Sequence, residues 1–149
     1  MSISITKLDS SMSGKIHNIE SRIFPDAYSE QALKKDFSSE RNMCFAAVSD
    51  GDIIGYYICS YVLDEAELER IAVCANQRGR GIASLMLCHL KEQCLSKGIT
   101  NVYLEVRRSN IIAQNLYKKH DFIKTGERKS YYSDNGEDAI LYTLSLNRR

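Results

Sequence analysis

Arg78-Gly79-Arg80-Gly81 stands directly before a stretch whose apolar residues recur at helical spacing, and directly after a β-patterned run ending at Val73. A helix N-terminus presents unpaired N–H groups and the positive end of a dipole to any anion in front of it. Gly79 and Gly81 let the backbone approach such an anion, because no side chain holds it away. The expected ligand is phosphorylated. A second group of chemical residues lies just upstream, where Asp64, Glu65, Glu67 and Glu69 crowd one strand. A solvated edge is the plain interpretation of these acids, and a preference for cationic substrates is the sharper one.

The elements that must hold these residues follow from periodicity. Leu68, Arg70 and Ala72 alternate with Glu69, Ile71 and Val73, which predicts a strand with the two sets on opposite faces. From Ile82 the residues Ile82, Leu85, Met86, Cys88, His89 and Leu90 predict one helix face, closed by Lys97-Gly98. Upstream, Ser2 to Leu8 reads as a strand, and Asp9 or Ser10 caps a helix with Met12, Ile16, Ile19 and Ile23 inward as far as Pro25. Ser29 caps a second helix through Phe37. Met43–Ser49 and Asp52–Leu63 read as strands joined at Asp50-Gly51, a dipeptide favoured in tight hairpins. Downstream, Ile99–Val106 alternates with Tyr103 and Glu105 on one face. Ser109 or Asn110 starts a helix with Ile112, Leu116 and Tyr117 inward, stopping near His120-Asp121. Phe122–Leu146 reads as two long strands joined at Asn135-Gly136. The result is an α/β (α+β) fold with a mixed sheet.

The 149 residues suit one domain with its own core, and 44% hydrophobic and 26% charged residues are ordinary for a soluble globular protein. A formal charge of +1 argues against nucleic-acid binding by phosphate neutralisation. The five cysteines, 44, 59, 74, 88 and 94, form no Cys-x-x-Cys pair, so neither a disulfide framework nor a zinc site is expected. No metal is called for. No run approaches a membrane span and the first residues lack a signal-peptide core, so the expected location is the cytoplasm.

Arg78-Gly79-Arg80-Gly81-Ile82-Ala83 resembles the Arg/Gln-x-x-Gly-x-Gly/Ala signature of the GNAT acetyltransferases, as do the strand before it and Asn110 followed by Tyr117. Within that family the chain is similar to the bacterial group that acetylates the alanine N-terminus of a ribosomal protein. Val62-Leu63-Asp64-Glu65-Ala66, Leu104-Glu105-Val106-Arg107, Ser109-Asn110, Leu116-Tyr117, Tyr131-Tyr132 and Glu137-Asp138-Ala139-Ile140 carry that likeness. His120-Asp121-Phe122 departs from the usual Leu-Gly-Phe, and Glu69-Arg70 from less charged residues.

The resemblance implies a GNAT fold of about seven strands and four helices, with the fourth and fifth strands splayed. It implies acetyl-CoA as co-substrate, paired to the backbone of Ile71, Ala72 and Val73 and held at its pyrophosphate by Arg78, Gly79, Arg80, Gly81, Ile82, Ala83 and Ser84, with Asn110 near its reactive half. It implies Glu105 as general base and Tyr117, with a lowered pKa, as the acid that protonates the departing thiolate; Glu67 is the rival base. Tyr28, Tyr131 and Tyr132, with Asp64, Glu65, Glu67 and Glu69, are the candidate acceptor residues. An amide N–H at Val73 is the oxyanion candidate, and His17, His89 and His120 are structural.

The implied acceptor is the N-terminal amine of a small-subunit ribosomal protein; lysine side chains, polyamines and aminoglycosides stay open, as does oligomeric state. A Rossmann dehydrogenase is disfavoured, since Cys74–Arg78 separate strand from glycine and a meander precedes the loop. A non-catalytic acyl-CoA-binding module is the other alternative, disfavoured by the presence of both Glu105 and Tyr117.

Overall fold

The computed structural model describes residues 2–146. Seven strands form one sheet: β1 (Ser4–Lys7), β2 (Asn42–Ser49), β3 (Asp52–Val62), β4 (Glu65–Val73), β5 (Asn101–Arg107), β6 (Ile123–Arg128) and β7 (Ala139–Ser145), in the order β1-β2-β3-β4-β5-β7-β6. Every neighbouring pair is antiparallel except β4–β5. Four helices flank it: α1 (Ser13–Ile23), α2 (Glu30–Ser38), α3 (Ile82–Ser96) and α4 (Ile111–Lys119). Asp9 caps the 3-10 turn that leads into α1 by accepting from the Ser11 amide (2.9 Å), and Ser29 caps α2 by accepting from Ala32 (3.1 Å), as their residue types predict.

The sheet has a core on each face. Met86, Leu87, Leu90 and Cys94 of α3 and Tyr117 of α4 pack with Leu68, Val102, Leu104 and Ile140 on one side. Ile16 of α1 and Leu33 and Phe37 of α2 pack with Tyr56, Ile58 and Ala72 on the other. No helix of the described residues is long and apolar enough to cross a membrane.

The simple alternation expected along β4 does not hold. Ile58 pairs with Arg70 but its neighbour Cys59 pairs with Leu68, so Glu69 is an extra residue, a β-bulge. Leu68 therefore faces the α3 core while Ala72 faces the α1/α2 core, and Ile71 and Val73 pack on Leu68's side. A period-two pattern cannot register an inserted residue, because the bulge is decided by the partner strand.

Other differences have similar causes. Leu85 (42%) and Cys88 on α3 and Ile112 (86%) on α4 are exposed, because each helix meets the sheet along a narrower stripe than its apolar residues span. The C-terminal segment is not two long strands meeting at Asn135-Gly136. The β6–β7 connection spans residues 129–138, held by side-chain bonds in place of a ladder; Asp138 accepts from the Ser130 amide (2.8 Å) and Glu137 from the Ser109 amide (2.6 Å).

Candidate active site

β4 and β5 pair only at Glu65–Asn101, Ala66–Val102 and Glu67–Tyr103. Beyond Glu67 the strands part: Ile71, Ala72 and Val73 pair with β3 but have no partner on β5. This exposes a row of β4 backbone groups to a ligand lying in the fork. The bulge at Glu69 falls where the fork opens, and increased local twist is its physical effect.

At the far end of that edge, Gly79 (φ 79°) and Gly81 (φ 76°) hold left-handed backbone that other residues adopt only with strain. Gly81 caps α3 with no side-chain hydrogen bond, which leaves the first-turn N–H groups without a side-chain cap, a feature that an anion can use. Arg78 Nε donates to the Val73 carbonyl (3.1 Å), tying the loop to the end of β4. Arg80 Nη1 donates to Gln77 Oε1 (2.5 Å). Ile82 is buried under the loop and Ala83 half-buried beside it. Ser84 Oγ lies 2.9 Å from His120 Nε2. The loop and strand residues read from the sequence as a donor site thus form one continuous run. Asn110 Oδ1 caps α4 by accepting from the Ala113 amide (3.1 Å), so its side chain has a structural duty at the end of β5.

On the α1/α2 face a groove of about 670 Å³ is lined by Glu65, Glu67, Tyr103, Glu105, Arg128 and Leu141, among others. Glu105 Oε2 accepts from Arg128 Nε (2.8 Å), and its carboxylate also holds the Tyr131 hydroxyl and so raises that phenol. Burial, and then the negative charges of Glu69 and Glu105, lift the Glu67 carboxyl above its ordinary value, against the pull of Arg128. Glu69 accepts from Ser60 Oγ (2.7 Å) and Glu65 from the Tyr103 hydroxyl (3.0 Å). Asp64 lies instead in the β3–β4 turn, where its carbonyl accepts from the Thr100 amide (2.8 Å), outside the groove lining.

Tyr117 sits in the α3-side core, its ring 5.6 Å from Phe122 and 6.2 Å from Tyr142. Burial pushes its phenol up, the reverse of the lowered value expected. Tyr131 is exposed, with its ring edge-on to Tyr132 at 5.1 Å, and Tyr132 stacks on the Arg107 guanidinium at 4.0 Å. The histidines are bonded within the fold: His17 Nδ1 lies 2.9 Å from the Tyr28 carbonyl and His89 Nδ1 2.7 Å from the Tyr57 hydroxyl. Among the described residues no cluster of His, Cys, Asp or Glu could hold a metal ion.

Sequence reasoning passed over Glu20. Its carboxylate is fully buried and accepts from Arg70 Nε (3.1 Å), the Tyr56 hydroxyl (2.7 Å) and the Tyr28 amide (2.9 Å). A carboxylate one turn after Ile16 on the apolar stripe was the available signal. Arg107 and Arg128 were also missed, since nothing in strand periodicity says that a strand-end arginine meets a loop.

A splayed β4–β5 fork with an anion-binding helix N-terminus at its end is the architecture of an acyl-CoA-dependent acetyltransferase. The Acetyltransferase (GNAT) family matches residues 14–122, and the chain belongs to it. The chain is 31% identical over 133 residues to the putative [ribosomal protein bS18]-alanine N-acetyltransferase of Bacillus subtilis, covering 89% of this chain and 88% of that one. It is 31% identical over 144 residues to the [ribosomal protein bS18]-alanine N-acetyltransferase of Escherichia coli, covering 95% and 97%. The crystal structure of the Escherichia coli ribosomal-protein-S18-alanine N-acetyltransferase superposes with a TM-score of 0.92 at 30% identity, covering 99% of this chain and 96% of that one.

Proposed function

We propose that the whole chain acts as one catalytic domain that transfers an acetyl group from acetyl-CoA to the N-terminal α-amino group of a ribosomal protein of the bS18 kind, in the cytoplasm. The juxtaposition that carries this reading is a fork with an open β4 edge and anion cradle on its donor side and a carboxylate-lined groove on its acceptor side. The names of the relatives supply the acceptor class. The Gly79–Gly81 cradle fits a pyrophosphate, and the unpaired edge of Ile71–Val73 fits an amide-bearing chain.

Acetyl-CoA supplies a thioester carbonyl, and this chain's residues handle the protons around it. An α-amino group has a pKa of about 8, so a modest base suffices to free it. Glu105, directly or through water, takes that proton; its present partner Arg128 must give way or share it. Glu67 is placed to serve as the alternative base, because its raised pKa brings it nearer neutrality. A Val73 N–H faces the developing oxyanion from the open edge. Tyr117 gives the leaving sulfur its proton. Its raised pKa keeps the phenol in the donor form at neutral pH, and the same burial raises the basicity of a thiolate beside it.

The test is steady-state acetylation of a peptide matching the host bS18 N-terminus, with CoA release and intact mass as readouts. Glu105→Gln is expected to lower kcat by about 10²-fold or more, and Tyr117→Phe by about 10²-fold, with acetyl-CoA binding retained. Donor binding without turnover on any amine would leave only an acyl-CoA-binding module. Turnover confined to lysine side chains or polyamines would move the acceptor class.

A further inference from the structure

Each of the two splayed strands carries an arginine beyond the last β4–β5 pair, Arg70 on β4 and Arg107 at the end of β5. On β4, Arg70 is nearly buried (side chain 11% exposed) and its guanidinium lies between two rings, 4.0 Å from the centroid of Phe24 and 4.3 Å from that of Tyr28. Its Nε donates to Glu20, and its Nη2 donates to the Asp26 carbonyl (2.8 Å) and Oδ1 (3.3 Å). The segment between α1 and α2 is thus bound to β4 by one side chain. On β5, Arg107 stacks on Tyr132 at 4.0 Å and forms a two-pronged pair with Asp134 (both 3.1 Å). The β6–β7 connection is bound to β5 in the same way.

Arg70 stands on β4 and Arg107 on β5, neighbouring strands that are unpaired at these positions, so the segments they hold flank the fork on its two sides. Burial first, and then the charge of Glu105, push the Tyr132 phenol up to about 12 against the pull of Arg107. Burial, against the pull of Arg70, likewise lifts Tyr28 to about 12, with Glu69 of the bulge adding to the rise. Stacked, forked arginine contacts are rigid in a way that lysine contacts are not, because the planar guanidinium fixes direction as well as charge.

We propose that Arg70 and Arg107 are positioning residues for the acceptor: each holds one tyrosine-bearing wall, Tyr28 or Tyr132, so that the distance between the walls admits a peptide N-terminus whose first side chain is small. The inference rests on the acceptor assigned under Proposed function and deepens it. Widening either wall relaxes the choice of first residue and weakens peptide binding, while the donor site at Gly79–Ser84, on the other side of the fork, is untouched.

The experiment uses the full chain and its Arg70→Lys, Arg107→Lys and Tyr132→Ala variants. Peptides sharing one sequence but starting with Ala, Ser, Val or Leu are assayed at saturating acetyl-CoA, and hydrogen exchange is followed over residues 24–28 and 129–138. Each lysine variant is expected to raise the peptide KM about tenfold, keep the acetyl-CoA KM within about twofold, reduce the preference for Ala over Leu, and speed exchange in its own wall. A merely structural arginine would lower stability without this split between the two KM values. Unchanged peptide KM and first-residue preference in folded variants overturn the arginine role while leaving the acetyltransferase reading intact. If Arg70→Lys fails to fold, the two variants on the more exposed β5 wall decide by the same criterion. Wild-type protein that acetylates no peptide N-terminus overturns the acceptor reading and this inference together.

Discussion

Glu67 sits where three carboxylates converge, and its raised pKa is a local electrostatic consequence of that crowding. Burial disfavours its charge, and the charges of Glu69 and Glu105 disfavour it further. Replacing Glu69 with Gln removes one like charge, so the Glu67 pKa falls toward the unperturbed 4.5. If Glu67 shares in taking the amine proton, the acid limb of the kcat/KM profile moves to lower pH in Glu69→Gln. An acid limb that does not move assigns it to another group and leaves Glu105 as the only base. The Arg128–Glu105 pair belongs to the same scale: with Arg128 57% exposed, it is weak enough for an incoming ammonium to displace.

At the scale of elements, α4 shows how a helix stop sets a chemical group. Tyr117 lies in its last turn, and the Phe122 amide donates to the Tyr117 carbonyl (3.0 Å) while the Asp121 amide donates to that of Lys118 (3.1 Å). This closing arrangement requires Asp121 at φ 74°, a position glycine fills without strain. The contact of Asp121 with Lys91, at 3.8 Å on an 84% exposed side chain, offsets little of that cost. Asp121→Gly is therefore expected to raise the free energy of unfolding by about 1 kcal/mol, read from the urea midpoint at unchanged m value. A loss of stability would show that the aspartate makes a compensating contact.

Over the whole molecule the buried titratable groups set a pH window for folding. Cys44 and Tyr28 are each lifted to about 12, and Tyr56, Tyr57 and Tyr117 are lifted as well, all chiefly by burial. Groups raised in the fold contribute stability that is whole below their unfolded values, 9.0 for cysteine and 10.0 for tyrosine, and is lost as pH rises above them. His89 and His120 are lowered, again first by burial. Their contribution is whole above the unfolded 6.5 and is lost as pH falls below it. Thermal stability should be flat from about pH 7 to about pH 9 and decline on both sides, with His120→Asn softening the acid decline. A midpoint still rising above pH 10 would contradict this account.

Sequence alone determined the order of elements, because capping residues, glycine turns and apolar periods act within a few residues of one another. Asp9 and Ser29 cap where their types suggest, and the Gly79–Gly81 loop opens α3, because left-handed backbone and an uncapped helix start are local properties. Whatever depends on a partner distant in the chain was decided only by the tertiary structure. The bulge at Glu69 depends on β3, the burial of Glu20 depends on Arg70 fifty residues away, and the direction of the Tyr117 shift depends on the core that closes over it. Charges and phenols have no fixed pKa until burial and neighbours set one, and no local pattern encodes which neighbours those will be.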